Sequence, residues 1–194
     1  MKLIILAGNS PKIQKHPRQL ANRISRFLNQ GFTPKDIVIA TDTTTLPLIK
    51  TLLPEANFSV EDQPLHTAGA VKNAQNFYLS DPEVMIANGD TNINTSLQSF
   101  IDFHHHSQSS LTILLKKAND VSQYGHVSLN LNHQIERYHE KLTHLHTPGL
   151  VNGGLYLINT QHIFNLANHI PISLEKEVFP NIISLNQPIF GYIP

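Results

Sequence analysis

Val84-Met85-Ile86-Ala87 is an unbroken apolar run that leads directly into Asn88-Gly89-Asp90-Thr91. Such a run, closed by a polar turn, reads as a strand buried on both faces, as a parallel sheet covered by helices requires. In an open α/β sheet, ligands bind at the carboxyl ends of the strands. Asp90 then stands at the mouth of a site, where a carboxylate can hold a divalent cation against phosphate oxygens. Asn-Gly-Asp is also ordinary turn chemistry, so the segment alone is equally a surface Asx-type turn.

The same alternation recurs along the chain. Lys2 to Ala7 reads as a central strand, closed by Gly8. Asn9-Ser10-Pro11 reads as a turn, and Pro17 suits the first turn of a helix. In that helix Leu20, Ile24, Phe27 and Leu28 form one apolar stripe, and Gly31 ends it. Strands are expected at Ile37–Ala40 and Phe58–Val60, with a short helix from Leu46 to Leu53. Pro64 to Asn73 reads as a loop leading into a helix that runs to about Leu79. Its first N–H groups are of the kind that receive phosphate, ribose or a base edge, although an ordinary capped helix reads the same way. Thr95 and Gln98 form a capping box for a helix ending in His104-His105-His106. Strands follow at Leu111–Leu115, Val127–Leu131 and Gln134–Tyr138. Gly149 to Gly154 reads as a second Gly-rich turn before a strand at Leu155–Ile158. Short helices are expected at Gln161–Ala167 and Leu174–Val178. This order predicts a three-layer α/β/α sandwich with a mainly parallel sheet, in a single domain over residues 1–194.

Composition narrows the function. Formal charge is balanced and no basic block occurs, so nothing favours nucleic acid or a membrane surface as partner. The chain has no cysteine, which removes disulfides and thiolate chemistry and fits a reducing compartment. Leu3 to Ala7 is too short for a signal segment, and no run approaches the ~20 residues that span a bilayer. A cytoplasmic protein is expected. Twelve histidines invite a metal reading. However, His104 to His106 point around a helix, and His139, His144 and His146 lack a supporting spacing. Solvated surface is the default for them.

Several short elements occur together in a telling order. Leu3 to Gly8 echoes a strand followed by Leu-Ala-Gly-Gly, and Leu65-His66-Thr67-Ala68-Gly69-Ala70 echoes Leu-Gly-Thr-Gly-Gly-Ala. Asn88-Gly89-Asp90, Tyr124-Gly125, Glu140-Lys141, Asn152-Gly153-Gly154 and Ser173-Leu174-Glu175-Lys176 follow. With these the chain resembles the sugar-1-phosphate nucleotidyltransferases, most of all the D-glycero-D-manno-heptose 1-phosphate guanylyltransferase type. The resemblance implies the nucleotide-diphospho-sugar transferase fold, which is GT-A-like and Rossmann-like. It implies a reaction in which a sugar 1-phosphate oxygen attacks the α-phosphorus of a nucleoside triphosphate and pyrophosphate leaves. It further implies that Asp90 holds Mg²⁺. Lys12 does not occupy the family's cation position, but it is expected to act with Asp90 as a catalytic residue by compensating for the shortened loop. Leu6, Ala7, Gly8, Thr67 and Asn88 would line the nucleotide. Gly125, Glu140, Asn152 and Gly153 would contact the sugar, and Lys141 its phosphate. These residues are expected to converge on one cleft. Self-association into a homo-oligomer stays open.

The chain also departs from that pattern. The family's long Gly-rich loop is mostly missing, since Gly8 is followed at once by Asn9-Ser10-Pro11-Lys12. Pro11 has no N–H to offer a phosphate, and Lys12 and Lys15 are the only cations nearby. Position 66 is His where the family has Gly. The family's second metal aspartate normally lies just beyond a segment like Phe190-Gly191-Tyr192, and the sequence stops at Pro194. Two expectations follow: a nucleotidyltransferase of strongly reduced rate, or a non-catalytic relative that binds a nucleotide or sugar phosphate or serves as an assembly subunit.

Overall fold

A computed structural model describes residues 1–141, 143–165 and 171–194. In chain order its first elements are β1 (Lys2–Leu6), α1 (Pro11–Lys15), α2 (Pro17–Leu28), β2 (Ile37–Asp42), α3 (Leu46–Lys50), β3 (Asn57–Glu61), α4 (His66–Asn73) and β4 (Glu83–Asn88). There follow α5 (Leu97–His106), β5 (Leu111–Ala118), β6 (His126–Leu129), β7 (Ile135–His139), β8 (Gly149–Asn159), α6 (Thr160–Phe164), α7 (Phe179–Ser184) and β9 (Ile189–Tyr192). The chain divides into two compact units, Met1–Asn94 with Ile158–Ile172, and Thr95–Leu157 with Ser173–Pro194. Strands are mainly parallel and helices flank them, the α/β class that the sequence predicts. No helix among the described residues is long and apolar enough to cross a membrane.

In the first unit β1 lies between β2 and β4, and β3 pairs with β2, all in parallel. Leu3, Ile4 and Ile5 of β1 and Val84 to Ala87 of β4 are buried, because strands covered on both faces have no solvent side. Leu20, Ile24 and Phe27 of α2 are buried, while Leu28 of the predicted stripe is only half-buried. The segment read as a turn before α2 instead holds α1. Pro11 occupies its first turn, where a missing N–H costs nothing, and Ile13 is its buried anchor. Helix α4 is shorter than expected: it stops at Asn73, and a 3₁₀ turn at Gln75–Phe77 replaces the run to Leu79.

In the second unit β5 pairs with β9 in parallel, and β6 is antiparallel to both β7 and β8. The cap of α5 is Ser96, whose hydroxyl accepts the Ser99 N–H at 3.2 Å, rather than the predicted Thr95. Thr95 Oγ1 is buried without a hydrogen bond. The predicted Gly-rich turn at Gly149–Gly154 is strand, the first half of β8. A Cβ at Gly153 would stand 2.8 Å from the Leu114 carbonyl oxygen, so glycine here admits close approach of β5. A π-helical turn at Leu174–Val178 runs straight into α7, which the sequence reading missed. His104 is buried, not solvated, with its Nδ1 2.8 Å from Thr112 Oγ1. Helix α6 is observed to Phe164 with Asn165 as its C-cap, and residues 166 and 167 of the expected helix fall outside the described residues.

Candidate functional site

The carboxyl ends of β1 and β3 and the start of α4 enclose a cleft of about 260 Å³ in the first unit. Leu6, Gly8 and Thr67, three of the expected nucleotide residues, line it. Ala7 is fully buried, and its N–H donates to the Ala40 carbonyl at 2.8 Å. Asn88 ends β4 in register with Leu6 and is not part of the lining.

Two buried carboxylates that the sequence reading passed over shape this cleft. Glu61 lines it, at the end of β3. Its Oε2 accepts the Leu65 N–H at 3.0 Å, and its Oε1 accepts from Asn9 Nδ2 at 3.4 Å. Burial, joined by the negative charge of Asp42, raises the Glu61 carboxyl above its ordinary value against the pull of the Leu65 N–H and His66. Asp42 ends β2. Burial also disfavours its charge, but hydrogen bonds outweigh that and hold it well below the usual carboxylate range. The donors are the hydroxyl and N–H of Thr44, the N–H of Asn9 and the hydroxyl and N–H of Thr45. The rule that singled out Asp90, a carboxylate at the carboxyl end of a strand, also points to both.

These contacts decide which backbone donors are free. Asn9, with φ of 52°, turns its N–H onto Asp42 at 2.7 Å. A Cβ at Gly8 would collide with Glu61 Oε1, so glycine at this position lets the Glu61 carboxylate lie against the backbone after β1. At the start of α4 the Ala68 and Gly69 N–H groups both donate to the Ile172 carbonyl at 3.0 Å. The helix-start amides that the sequence offers to a phosphate are therefore in use at these two positions. His66 takes the left-handed conformation, φ of 59°, and its side chain helps line the cleft.

The Asn88-Gly89-Asp90 turn is fixed from several directions. Gly89 N–H donates to the Leu6 carbonyl at 2.8 Å. A Cβ on Gly89 would meet that oxygen at 2.8 Å, Ile13 Cδ1 at 3.0 Å and Leu20 Cδ1 at 3.2 Å. Arg23 of α2 donates to the Gly89 carbonyl and to Asn92 Oδ1, each at 3.1 Å. Asp90 is left part-exposed, and Lys12 Nζ lies 3.6 Å from its Oδ2. Among the described residues no group of three or more His, Cys, Asp or Glu gathers as a metal cage. A single accessible carboxylate instead suits an ion that brings phosphate oxygens with it, as Mg²⁺ does.

The expected sugar residues lie in the second unit. Tyr138 hydroxyl donates to Glu140 Oε2 at 3.3 Å, and Lys141 Nζ is 3.9 Å from Glu140 Oε1. Asn152 Nδ2 donates to the Tyr138 hydroxyl at 3.0 Å and to the Tyr156 hydroxyl at 2.8 Å. The Asn152 N–H donates to the Gly125 carbonyl at 2.8 Å. A Cβ on Gly125 would collide with the Tyr138 hydroxyl, so Gly125, Glu140 and Asn152 are drawn together around one phenol. Gly153 lies within β8 next to them. Tyr156 hydroxyl donates in turn to Glu175 at 3.3 Å.

Comparison with known proteins places the chain in a family. Residues 11–189 match the family model described as nucleotidyl transferase. The mannose-1-phosphate guanyltransferase of Debaryomyces hansenii is 29% identical over 201 residues, covering 98% of this chain and 52% of that protein. The enzyme of the same name from Saccharomyces cerevisiae is 29% identical over 196 residues, covering 96% of this chain and 51% of that protein. The chain thus spans about half the length of these relatives. Among solved structures, HddC from Yersinia pseudotuberculosis complexed with GMP-PN superposes with a TM-score of 0.83 at 22% identity, covering 100% of this chain and 90% of that one. That likeness fixes the fold, the mainly parallel mixed sheet of the nucleotide-diphospho-sugar transferases. Nucleotidyltransferases of this kind generally use divalent metal ions.

Proposed function

The chain belongs to the nucleotidyl transferase family, and from that premise we propose that it joins a guanine nucleotide to a sugar 1-phosphate. In this reaction a phosphate oxygen of the sugar 1-phosphate bonds to the α-phosphorus of GTP. The bond from that phosphorus to the bridging oxygen breaks, and pyrophosphate leaves with the electron pair. Nothing is oxidised or reduced. The protein's part is positioning and charge neutralisation.

The first unit serves the nucleotide. Gly8, Leu6 and Thr67 line its cleft, and Glu61 offers carboxylate oxygens to the paired N–H donors of a guanine edge. Guanine is favoured further by the guanyltransferase relatives. Asp90 would hold Mg²⁺, which when bound neutralises triphosphate charge, and Lys12 adds a point charge beside it. The second unit serves the sugar phosphate, with Glu140 accepting from sugar hydroxyls and Lys141 facing the phosphate. The observation that carries this reading is Asp90 itself. It is a part-exposed carboxylate at the carboxyl end of a central strand, on a turn held by Leu6, Ile13, Leu20 and Arg23.

A second reading, binding without catalysis, is favoured by the short loop after β1. There α1 stands in place of a Gly-rich loop, and the Asn9 N–H is committed to Asp42. Pyrophosphate release from GTP with mannose 1-phosphate and Mg²⁺, by the parent and by Asp90→Ala, separates the two. Slow release that disappears in Asp90→Ala is expected. Equal background release by both proteins would favour binding alone.

A further inference from the structure

The hydrogen bonds around Asn152 run in one direction only. Gly154 N–H donates to Asn152 Oδ1 at 2.8 Å, which fixes which end of the amide is oxygen. Nδ2 must then face the two phenols, and it donates to Tyr138 at 3.0 Å and Tyr156 at 2.8 Å. Both amide hydrogens are thereby committed. Each phenol oxygen already accepts a proton from Asn152, so each directs its own hydrogen elsewhere. Tyr138 sends it to Glu140 Oε2 and Tyr156 sends it to Glu175 Oε1, both at 3.3 Å. Burial raises both phenols above their ordinary value, so each has a proton to give. The network is rigidly backed. Phe179 packs on both tyrosine rings, with centroids 5.4 and 5.2 Å away, and the Asn152 N–H is tied to the Gly125 carbonyl.

We propose that Asn152, with Tyr138, is a positioning residue: it sets the direction of a chain of hydrogen bonds that presents Glu140 as an acceptor to a hydroxyl of the sugar, while Glu175 is held within the fold by Tyr156 and Ser173. The inference rests on the sugar 1-phosphate reading above. It differs from the role the resemblance implies for Asn152, because an amide with both hydrogens spent on buried phenols donates nothing to a ligand. Specificity then lies in Glu140, which demands a hydroxyl donor on the substrate and disfavours sugars that lack it. An oriented acceptor also loses less on binding than one that must be reorganised.

The test compares the parent with Tyr138→Phe and Asn152→Asp. Binding of mannose 1-phosphate and of GTP is followed by titration calorimetry, and KM for each by pyrophosphate release. Tyr138→Phe keeps the ring against Phe179 but removes the proton given to Glu140. It is expected to weaken mannose 1-phosphate roughly tenfold, the usual scale for a hydrogen bond to a charged group, while GTP changes less than about twofold. Asn152→Asp replaces the donor by an acceptor, draws both phenolic protons inward and is expected to cost more on the sugar side alone. Thermal melting checks folding. If Asn152→Asp does not fold, Tyr138→Phe decides by itself. Unchanged sugar affinity in Tyr138→Phe, or equal losses for sugar phosphate and GTP, overturns the positioning role. A parent that neither binds mannose 1-phosphate nor releases pyrophosphate overturns the proposed function, and this inference with it.

Discussion

Asp42 and Glu61 stand at the ends of adjacent strands and are both buried, yet they titrate in opposite directions. The difference is the number of donors. Asp42 collects hydrogen bonds from Asn9, Thr44 and Thr45, whereas Glu61 receives the Leu65 N–H and a longer contact from Asn9. A raised folded-state value means that the charged form of Glu61 is held at a cost. That cost is complete above the raised value and is relieved as pH falls through it toward the ordinary range. Glu61→Gln is therefore expected to melt higher than the parent at neutral pH, with the advantage fading in acid. The same variant is expected to bind GTP more weakly, since one acceptor oxygen becomes a donor. Melting curves from pH 7 downward check the first part. A parent that melts higher than Glu61→Gln at pH 7 would show that Glu61 is better satisfied than its surroundings indicate. Asp42 has the opposite sign: its contribution is present above the ordinary aspartate value and is lost as pH falls through the depressed one.

Helix α1 is short, opens on Pro11, is followed by Pro17 of α2 and depends on one buried side chain. Five residues do not hold a helix in water, so tertiary contact must. Ile13 supplies it by packing where a Cβ on Gly89 would otherwise stand. Ile13→Ala is expected to cost about 2–4 kcal/mol as a large-to-small change. Because Ile13 also backs the Asp90 turn, Mn²⁺ binding, read by electron paramagnetic resonance, is expected to weaken in the folded variant. Full stability with unchanged Mn²⁺ affinity would mean that α1 and the turn are independent. The helix was hidden in the sequence because Ser10-Pro11 and His16-Pro17 look like turn punctuation and only Ile13 is apolar. Strand β8 was hidden in its first half for the complementary reason. Glycine clusters usually signal turns, but Gly153 is there to let β5 approach.

At the scale of the whole molecule the two units are unequally prepared for the two proposed ligands. In the first, the N–H groups of Asn9, Ala68 and Gly69 are already bonded to Asp42 and Ile172. In the second, the Asn152 network keeps Glu140 oriented without a ligand. Each oriented donor to a reacting phosphate typically contributes ~10²–10³ in rate, so the missing loop weighs on the triphosphate side. Titration calorimetry with Mg²⁺ is expected to give tighter binding for mannose 1-phosphate than for GTP, and the reverse order would show that the shortened loop is compensated. The sequence by itself determined the strand and helix alternation, the α/β class and the family. Those signals are local: apolar periodicity, turn residues and short ordered motifs lie within a few positions of one another. Only the tertiary structure decided which polar groups are free to act. Asn9 against Asp42, Ala68 against Ile172 and Asn152 against Tyr138 and Tyr156 are pairings between distant segments, and a hydrogen bond spent within the fold is no longer available to a ligand.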